Sequence, residues 1–313
     1  DSGAISCYSA TDGRKLWSFK SDMRIIGTPA ADKNVVVFGS ADMNIYGLNA
    51  SDGRLLWKIN TEAPVLGAVT IRNGIAYIGG SDHKFRAIDI KSGTVVWSYD
   101  GVEGYIETKP LVYDNLVIFG AWDKNLYALD KKTGKEVWKW HEGKPGRFYS
   151  AAAGWAGVAA NGKVFIADPE RVLTAIDAST GKTVWRTKES MVRETVGLSE
   201  DKRRIYSKTM NDSVVCYSTT TDFPEKIWAS NVGFGYEHAP SMPVEKEGVV
   251  FGSTKNGLMF GLDAHTGKVL WKHKVGNSLI STLVPLSKNK CLFTATGGEI
   301  GLLVIDYKIN KHK

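Results

Sequence analysis

The chain has 313 residues, a formal net charge of +7 and 43% hydrophobic residues, which is enough apolar sequence to bury a large core. It has no run of about 18 apolar residues, so no membrane-spanning helix is predicted. The lysines are scattered through predicted turns, which favours a solvated surface over a nucleic-acid-binding patch. Cys7, Cys216 and Cys291 lie far apart in strand-like stretches and are predicted to be small buried residues, not disulfides or metal ligands.

The first residues of the chain match the middle of a unit that recurs further along. Asp1–Cys7 aligns with Ser40–Gly47, so we expect the chain to begin inside a hairpin. Such a start is expected if an upstream stretch has been removed or if this is one part of a longer protein. The lack of a targeting segment therefore gives no information about the compartment.

Four short strands are predicted in the first full period, at 27–31, 35–38, 45–48 and 55–57. Turns rich in Gly, Asn and Asp separate them, as at Asp32–Asn34, Gly39–Asp42 and Asp52–Gly53. No stretch of useful length has helical periodicity. The chain is therefore predicted to be all-β, built from four-stranded units that are typical of propeller blades.

Each unit ends on a strand that carries a tryptophan, usually preceded by a turn glycine that permits positive φ in a tight hairpin. Successive tryptophans are 40, 40, 41, 47, 43 and 43 residues apart, a period typical of propeller blades. An indole can bury about 150–250 Å² against a neighbouring unit. We therefore predict that the following are structural docking residues and not ligand platforms: Trp17, Trp57, Trp97, Trp138, Trp185, Trp228 and Trp271.

The number of units follows from the two ends of the chain. The 17 residues up to Trp17 and the 42 residues after Trp271 together exceed one period by roughly a strand and a turn. Two predicted strands, Ile5–Tyr8 and Leu302–Asp306, compete for the same place in the closing blade. We predict a single domain over residues 1–313, a seven-bladed β-propeller closed by strands from both termini. The alternative is that the chain is a trimmed form of an eight-bladed propeller.

The pattern Ala-x-Asp-x-x-Thr-Gly-Lys-x-x-Trp is best preserved at 128–138, at 175–185 and, with Gly261 in place of Ala, at 261–271. It resembles the tryptophan-docking repeat of pyrroloquinoline-quinone-type β-propellers, over essentially the whole chain. The resemblance covers two branches. Quinoprotein alcohol dehydrogenases bind quinone and calcium on eight blades, whereas the BamB-like branch keeps the propeller without a cofactor or chemistry. The fold alone does not choose between them.

The sequence departs from the dehydrogenase branch at the residues that its chemistry needs. No two cysteines are adjacent, and there are almost no long segments between units to supply the family's calcium-binding Glu, Asn and Asp set. The chain is also about half the usual length of those enzymes. It is therefore predicted to be non-catalytic, with no cofactor. A further departure, at Thr219–Trp228, loses the turn glycine and predicts a longer, looser hairpin.

Other catalytic or metal-binding patterns are not found in the sequence. The six histidines have no metal-ligand spacing, and there is no nucleophile elbow, P-loop or dinucleotide fingerprint. The glycine-rich stretch Gly297–Gly301 occupies the position of the turn Gly39–Asp42 and is predicted to be a turn. No metal site and no catalytic residue is predicted.

Charged and aromatic residues recur just before the first strand of several units, a position that lines the mouth of a propeller channel. Such residues around a narrow axis indicate a site for a ligand or partner. The alternative is that the arginines and glutamates neutralise one another beside channel water. The predicted mouth residues are Arg24, Tyr105, Glu107, Arg193, Glu194, Tyr236, Glu237 and His238.

The longest period, 138–185, carries a second candidate surface. Its extra residues fall in the loop 140–149 and include Arg147, Phe148 and Tyr149, followed by Trp155. Loop insertions on one face of a propeller commonly carry recognition, and arginine with aromatics is typical of interface hot spots. The alternative is that this loop plugs the channel.

Three functional hypotheses remain. The first is a rigid, non-catalytic and monomeric propeller that presents its channel mouth to a protein or a small polar ligand outside the cytoplasm, as the resemblance implies. The second is the recognition or regulatory part of a longer extracytoplasmic enzyme. The third is a quinone-dependent dehydrogenase. None of them involves nucleic acid.

Overall fold

The computed structural model describes residues 3–141, 157–239 and 241–307. Within these ranges every regular element is a β-strand, so the prediction of an all-β chain is confirmed. The chain divides into two compact units, Asp1–Ala156 and Gly157–Lys313. Over the described ranges no helix is long and apolar enough to cross a membrane.

The first unit contains a two-stranded sheet (β1–β2) and three four-stranded sheets (β3–β6, β7–β10 and β11–β14), in which each strand pairs antiparallel with the next in sequence. Its strands are β1 (Ala4–Tyr8), β2 (Lys15–Lys20), β3 (Ala30–Asp32), β4 (Val35–Ser40), β5 (Asn44–Asn49), β6 (Leu55–Asn60), β7 (Thr70–Arg72), β8 (Ile75–Gly79), β9 (Phe85–Asp89), β10 (Val95–Tyr99), β11 (Leu111–Tyr113), β12 (Leu116–Gly120), β13 (Leu126–Asp130) and β14 (Glu136–Trp140).

The second unit contains three four-stranded sheets (β15–β18, β19–β22 and β23–β26) and a three-stranded sheet (β27–β29) of the same antiparallel kind. Its strands are β15 (Val158–Ala160), β16 (Lys163–Ala167), β17 (Leu173–Asp177), β18 (Thr183–Thr187), β19 (Val192–Leu198), β20 (Arg204–Thr209), β21 (Asn211–Ser218), β22 (Lys226–Tyr236), β23 (Val244–Lys246), β24 (Val249–Ser253), β25 (Leu258–Asp263), β26 (Val269–Lys274), β27 (Val284–Ser287), β28 (Lys290–Thr294) and β29 (Ile300–Val304).

In four sheets the hairpin between the third and fourth strands is closed by an aspartate: Asp89, Asp130, Asp177 or Asp263. In the β9–β10 hairpin the Asp89 carboxylate accepts hydrogen bonds from the backbone N–H of Lys91 (3.0 Å) and Ser92 (2.9 Å). These bonds, led by the one from Ser92, lower the pKa of Asp89. Gly93 follows at φ 72°, in the left-handed region that glycine adopts most easily. The Asp-x-x-Thr/Ser-Gly pattern is therefore a turn built from its own side chains.

The tryptophan of one sheet packs on the hairpin of the next. Trp57 donates its indole N–H to the carbonyl oxygen of Ile90 at 2.8 Å. A Cβ added to Gly93 would lie 2.6 Å from Trp57 Cγ, and one added to Gly47 would lie 2.1 Å from Trp57 Cε2. The ring therefore needs glycine or another small residue on both sides. Corresponding indole hydrogen bonds join Trp17 to Ala50, Trp97 to Lys131 and Trp228 to Ala264.

The hydrophobic core of each unit lies between consecutive sheets. In the first unit Val37 and Ile45 pack with Ile78 and Ile88 of the next sheet, and in the second unit Trp228 packs with Phe260. Cys216 and Cys291 are buried, as predicted, whereas Cys7 is only partly buried, so the prediction is wrong for Cys7. Burial raises the pKa of the Cys291 thiol to about 11. Packing between sheets explains why the second and third strands of the four-stranded sheets are buried on both faces, as in β4 and β16. An outer strand such as β22 instead alternates between buried and exposed residues.

The β21–β22 hairpin is longer than the others, as its missing glycine predicts. The backbone N–H of Ser218 donates to the carbonyl of Glu225, seven positions ahead, whereas that of Asp89 donates to Thr94, five positions ahead. The preceding tryptophan, Trp185, is buried, and its indole N–H has no hydrogen-bond partner among the described residues. Losing the tight turn therefore coincides with losing a docking hydrogen bond.

The two terminal sheets contain the strands predicted to compete for closure. The predicted strand Ile5–Tyr8 lies in β1, which pairs with β2, and the predicted strand Leu302–Asp306 overlaps β29, which pairs with β28. The prediction of strands at both places is correct. The number of blades stays a prediction.

Candidate functional site

The predicted mouth residues lie in or beside the segments that lead into the first strand of a sheet. These segments are hydrogen-bonded to the turn between the second and third strands, at one end of the sheet. The carbonyl of Arg24 accepts from Ala41 N–H, and that of Tyr105 accepts from Trp122 N–H. We call this end, segment plus turn, the link end of a sheet.

In the first unit the link end carries an exposed aromatic residue. Tyr105 is 50% exposed, and its ring lies 5.5 Å from the His83 ring, almost perpendicular to it. The side chain of Arg24, in an earlier link end, is also exposed. Tyr105 is therefore half exposed to solvent while its ring contacts a histidine from the turn between β8 and β9.

Glu107, two residues further on, has the opposite environment. Its side chain is buried, and its carboxylate accepts a hydrogen bond from the indole N–H of Trp122 at 2.7 Å. A buried carboxylate that accepts a hydrogen bond fixes the backbone around it. In this unit the glutamate thus anchors the link segment from within, and the neighbouring tyrosine is the residue that faces outward.

In the second unit Arg193 and Glu194 form part of a charge cluster. Arg193 Nη2 lies 3.2 Å from Glu194 Oε2, while Arg171 Nη1 lies 2.8 Å from Glu194 Oε1. Burial lowers the pKa of Arg193, and the negative charge of Glu194 opposes that shift. Two arginines share one glutamate here. The charges of the cluster therefore neutralise one another only in part, and one positive charge is left over.

A bulge in β19 leaves this cluster with unused hydrogen-bonding atoms. Val192 pairs with Thr209 and Val196 with Ser207, so residues 193–195 lie opposite one residue of β20. Among the described residues, Arg193 Nε, Glu194 Oε2 and Thr195 Oγ1 are buried without a hydrogen-bond partner, although Glu194 Oε2 keeps its ion pair with Arg193 Nη2. Buried polar atoms are nearly always bonded. Three on consecutive residues mark this bulge as a place where a ligand or water can bind.

The next link end carries Tyr236, Glu237 and His238. Tyr236 is 56% exposed, with Lys255 Nζ 4.9 Å above its ring and the His238 ring 5.9 Å away. Glu237 is completely buried; its carboxylate accepts from the backbone N–H of Ala239 and, at 3.1 Å, from that of Lys255. The arrangement repeats that of the first unit, with a buried glutamate beside an exposed tyrosine.

Sequence reasoning missed Lys208, which lies between these two link ends. Its ammonium is completely buried and donates to Ala239 O (3.2 Å), Ser241 Oγ (2.8 Å) and Ser253 O (2.9 Å). Burial lowers its pKa to about 8, and Glu237 opposes that shift. Aligning the repeats could have singled it out, because the other four-stranded sheets have a small residue at the position of Lys208. These residues are Gly39, Gly79, Gly120, Ala167 and Ser253.

An open cavity of about 280 Å³ adjoins this cluster in the second unit. Met191, Met210 and Asn211 are among its lining residues, and Arg193 Nη1 contacts Met210 Sδ at 3.7 Å. Methionine side chains adapt to differently shaped surfaces. The cavity could therefore take an apolar group next to the charged bulge.

The second predicted surface, Arg147, Phe148, Tyr149 and Trp155, lies outside the described residues. Over the described ranges, no group of three or more His, Cys, Asp or Glu side chains is arranged to hold a metal ion.

Antiparallel sheets that repeat along the chain, with tryptophans that donate to the hairpin of the following sheet within each unit, define a β-propeller protein of the pyrroloquinoline-quinone-type repeat. The chain belongs to the family described as "Outer membrane protein assembly factor BamB", whose sequence profile matches residues 1–141, 122–222 and 211–309. The resemblance inferred from the repeat is confirmed.

Two solved structures show the fold that the chain shares with them. BamB from Moraxella catarrhalis is 20% identical, with a TM-score of 0.74 over 99% of this chain and 90% of that one. The computationally designed Ika8 protein is 17% identical, with a TM-score of 0.79 over 97% of this chain and 91% of that one. A search of curated proteins finds no match.

Proposed function

We propose that this chain is a non-catalytic binding module that presents its link ends to a protein partner in the cell envelope. The family to which it belongs is described as an assembly factor for outer membrane proteins, and an assembly factor acts by contacting other proteins. The departures from the dehydrogenase branch, namely the missing cysteine pair and the missing calcium-binding segments, support the same proposal.

One observation carries the proposal. In both units a buried glutamate anchors a link segment while a tyrosine beside it stays half exposed: Glu107 with Tyr105, and Glu237 with Tyr236. A rigidly mounted aromatic side chain can be buried by a partner with little loss of conformational entropy, which is typical of interface hot spots. We therefore assign partner contact to the tyrosines, His238 and Arg24, and anchoring to the two glutamates.

A small polar ligand is the second candidate, and the bulge in β19 favours it. Arg193 Nε can donate a hydrogen bond, Glu194 Oε2 can accept one and Thr195 Oγ1 can do both, yet all three lack a hydrogen-bond partner among the described residues. A ligand that carries both donors and acceptors would fit these atoms. Arg147, Phe148, Tyr149 and Trp155 remain proposed contact residues for either kind of partner.

The number of domains and of blades is also part of this proposal. We infer one propeller domain of seven blades, closed by strands from both ends of the chain, with eight blades as the alternative. The match to BamB over 99% of the chain supports one domain. A location outside the cytoplasm fits the family description, and we also infer that the chain is a monomer. One alternative function is a recognition domain of a longer enzyme. The other is a quinone-dependent dehydrogenase, which is tested by measuring dye reduction by the chain after quinone and calcium are added.

The test removes the exposed aromatics and leaves the anchors in place. Tyr105→Ala with Tyr236→Ala should reduce capture of a cross-linked envelope partner at least tenfold. The matched control is Val96→Ala, since Val96 is similarly exposed (52%) but lies on the outer strand β10. Capture that the double variant leaves unchanged, with the control also unchanged, would remove the link ends from the binding surface.

A further inference from the structure

The threonine in the β19 bulge differs from the threonine at the same repeat position in the first unit. Glu194–Thr195 aligns with Glu107–Thr108. Thr108 Oγ1 donates to the carbonyl of Gly120 at 3.0 Å and accepts from the N–H of the same residue at 3.2 Å. Thr195 is buried too, yet among the described residues its hydroxyl has no hydrogen-bond partner. The same residue type is therefore satisfied in one sheet and left with an unused hydroxyl at the bulge of the other.

The bulge also carries an excess of positive charge. Arg171 and Arg193 face a single carboxylate, that of Glu194. Arg193 is only 9% exposed; its Nη2 donates to the His238 carbonyl at 3.3 Å, and its Nε has no hydrogen-bond partner among the described residues. A buried guanidinium with an unused N–H forms its strongest hydrogen bonds with an anionic oxygen. The bulge is therefore suited to a carboxylate group of a ligand.

The cavity beside the bulge limits the rest of the ligand. Half of its lining residues are apolar: Met191, Met210, Val215 and Ala229. The hydroxyls of Ser190 and Thr209, which also line it, are already bonded within the protein, to the Tyr217 hydroxyl and the Asn211 carbonyl. Its volume of about 280 Å³ is just below the roughly 300–1,000 Å³ of pockets for drug-sized ligands. It therefore suits one short apolar side chain and not a large cofactor.

We propose that the β19 bulge and this cavity together bind a small apolar α-amino acid such as leucine. The ligand carboxylate accepts from Arg193 Nε and Thr195 Oγ1, and the ligand ammonium donates to Glu194 Oε2. The ligand side chain enters the cavity, which Met210 joins to the bulge through its contact with Arg193. The inference rests on the small-ligand candidate of the proposed function and names its chemical class.

Isothermal titration calorimetry of the whole chain with four probes tests each contact. L-Leucine should bind, and glycine, which lacks the apolar side chain, should bind at least tenfold more weakly. N-Acetyl-L-leucine lacks the ammonium and L-leucinamide lacks the carboxylate, so each of them should also bind at least tenfold more weakly. Leucinamide stands for the N-terminal residue of a peptide as well. If L-leucine does not bind, or if the amide binds as tightly as the free acid, the proposal is overturned.

Thr195→Val tests the bulge without endangering the fold, because it removes a hydroxyl that has no hydrogen-bond partner among the described residues. It should weaken L-leucine binding at least fivefold, while the ligand-free chain should be as resistant to urea as the wild type or more so. The matched control is Thr108→Val at the aligned position. This control should lower resistance to urea, because its hydroxyl is bonded to Gly120, and leave L-leucine binding unchanged. Unchanged binding by Thr195→Val contradicts the proposal.

A second variant tests the cavity. Ala229→Leu places an apolar side chain in the space proposed for the ligand, so it should reduce the affinity for L-leucine to that for glycine. An affinity for L-leucine equal to that of the wild type would remove the cavity from the site. These measurements need no protein partner. Their failure therefore leaves the capture experiment on Tyr105 and Tyr236 unaffected, and a failed capture experiment leaves them unaffected.

Discussion

The two units use one repeat with different degrees of regularity. In the first unit, three tryptophans each donate to the next hairpin, and no described side chain has a buried polar atom without a hydrogen-bond partner. In the second unit, six described side-chain atoms are buried without a hydrogen-bond partner. They belong to Trp185, Arg193, Glu194, Thr195, Arg204 and Trp271. The bulged β19, the long β21–β22 hairpin and Lys208 are in this unit too. Departures from the repeat therefore concentrate where the charge cluster lies, which is where a functional site is expected.

The largest effect is expected from removing a docked tryptophan in the regular unit. Trp57→Ala should lower the free energy of unfolding by about 3–5 kcal/mol, because it leaves a cavity between two sheets and an unpaired carbonyl at Ile90. Urea unfolding followed by circular dichroism measures the change. Leu56→Ala, at the exposed neighbour on the same strand, is the control and should change it by less than about 1 kcal/mol. Similar losses for both variants would contradict the docking role.

The glycine under that ring should be nearly as sensitive. Gly93→Ala combines a strained positive φ with a Cβ 2.6 Å from Trp57, and we expect it to lower the free energy of unfolding by about 2–3 kcal/mol. Gly13 has nearly the same φ (73°, against 72° at Gly93) but no atom within 4 Å of an added Cβ. Gly13→Ala should therefore show only the backbone part, about 1–2 kcal/mol. Equal losses at both positions would mean that ring contact adds nothing.

A comparison of the two kinds of tryptophan tests the contrast between the units. Replacing Trp57 with Phe leaves the Ile90 carbonyl without its donor, whereas replacing Trp185 with Phe removes a donor that has no acceptor. The loss in unfolding free energy should be about 1–2 kcal/mol larger for Trp57→Phe. Urea unfolding of both variants gives the difference. A larger loss at Trp185 would show that its indole N–H is bonded in solution.

The smallest effect is expected from the pH dependence that Lys208, in the second unit, gives to stability. The pKa of Lys208 is lower in the folded chain (about 8) than its ordinary value of 10.5. Between those values the unfolded chain binds more protons, so stability rises with pH. From pH 8 to 9.5, the unfolding free energy of the wild type relative to Lys208→Met should rise on the order of 1 kcal/mol. A constant difference would mean that the ammonium keeps its proton throughout.

Much of the architecture was predictable because it depends on neighbours in sequence. The hairpin turn needs only Asp89, Ser92 and Gly93, which lie within five positions of one another, and the indole spacing repeats it along the chain. The exposed residues Tyr105 and Tyr236 were found from their alignment before the first strands. Whether Glu107 and Glu237 are buried or exposed could not be predicted, because with the same sequence around it a glutamate can face solvent or accept from a group fifteen or more positions away, as Glu107 does from Trp122.

The sequence by itself determined the all-β class, the repeat, its turns and its family, since hydrogen bonds within a few residues and a fixed period specify them. Only the tertiary structure decided which polar groups are buried. Lys208 shows the reason: its three acceptors lie 31 to 45 positions away in sequence, and whether a lysine there is solvated or enclosed depends on the sheet that packs over it. Burial is a property of the packed sheets, and so are the charges that depend on it.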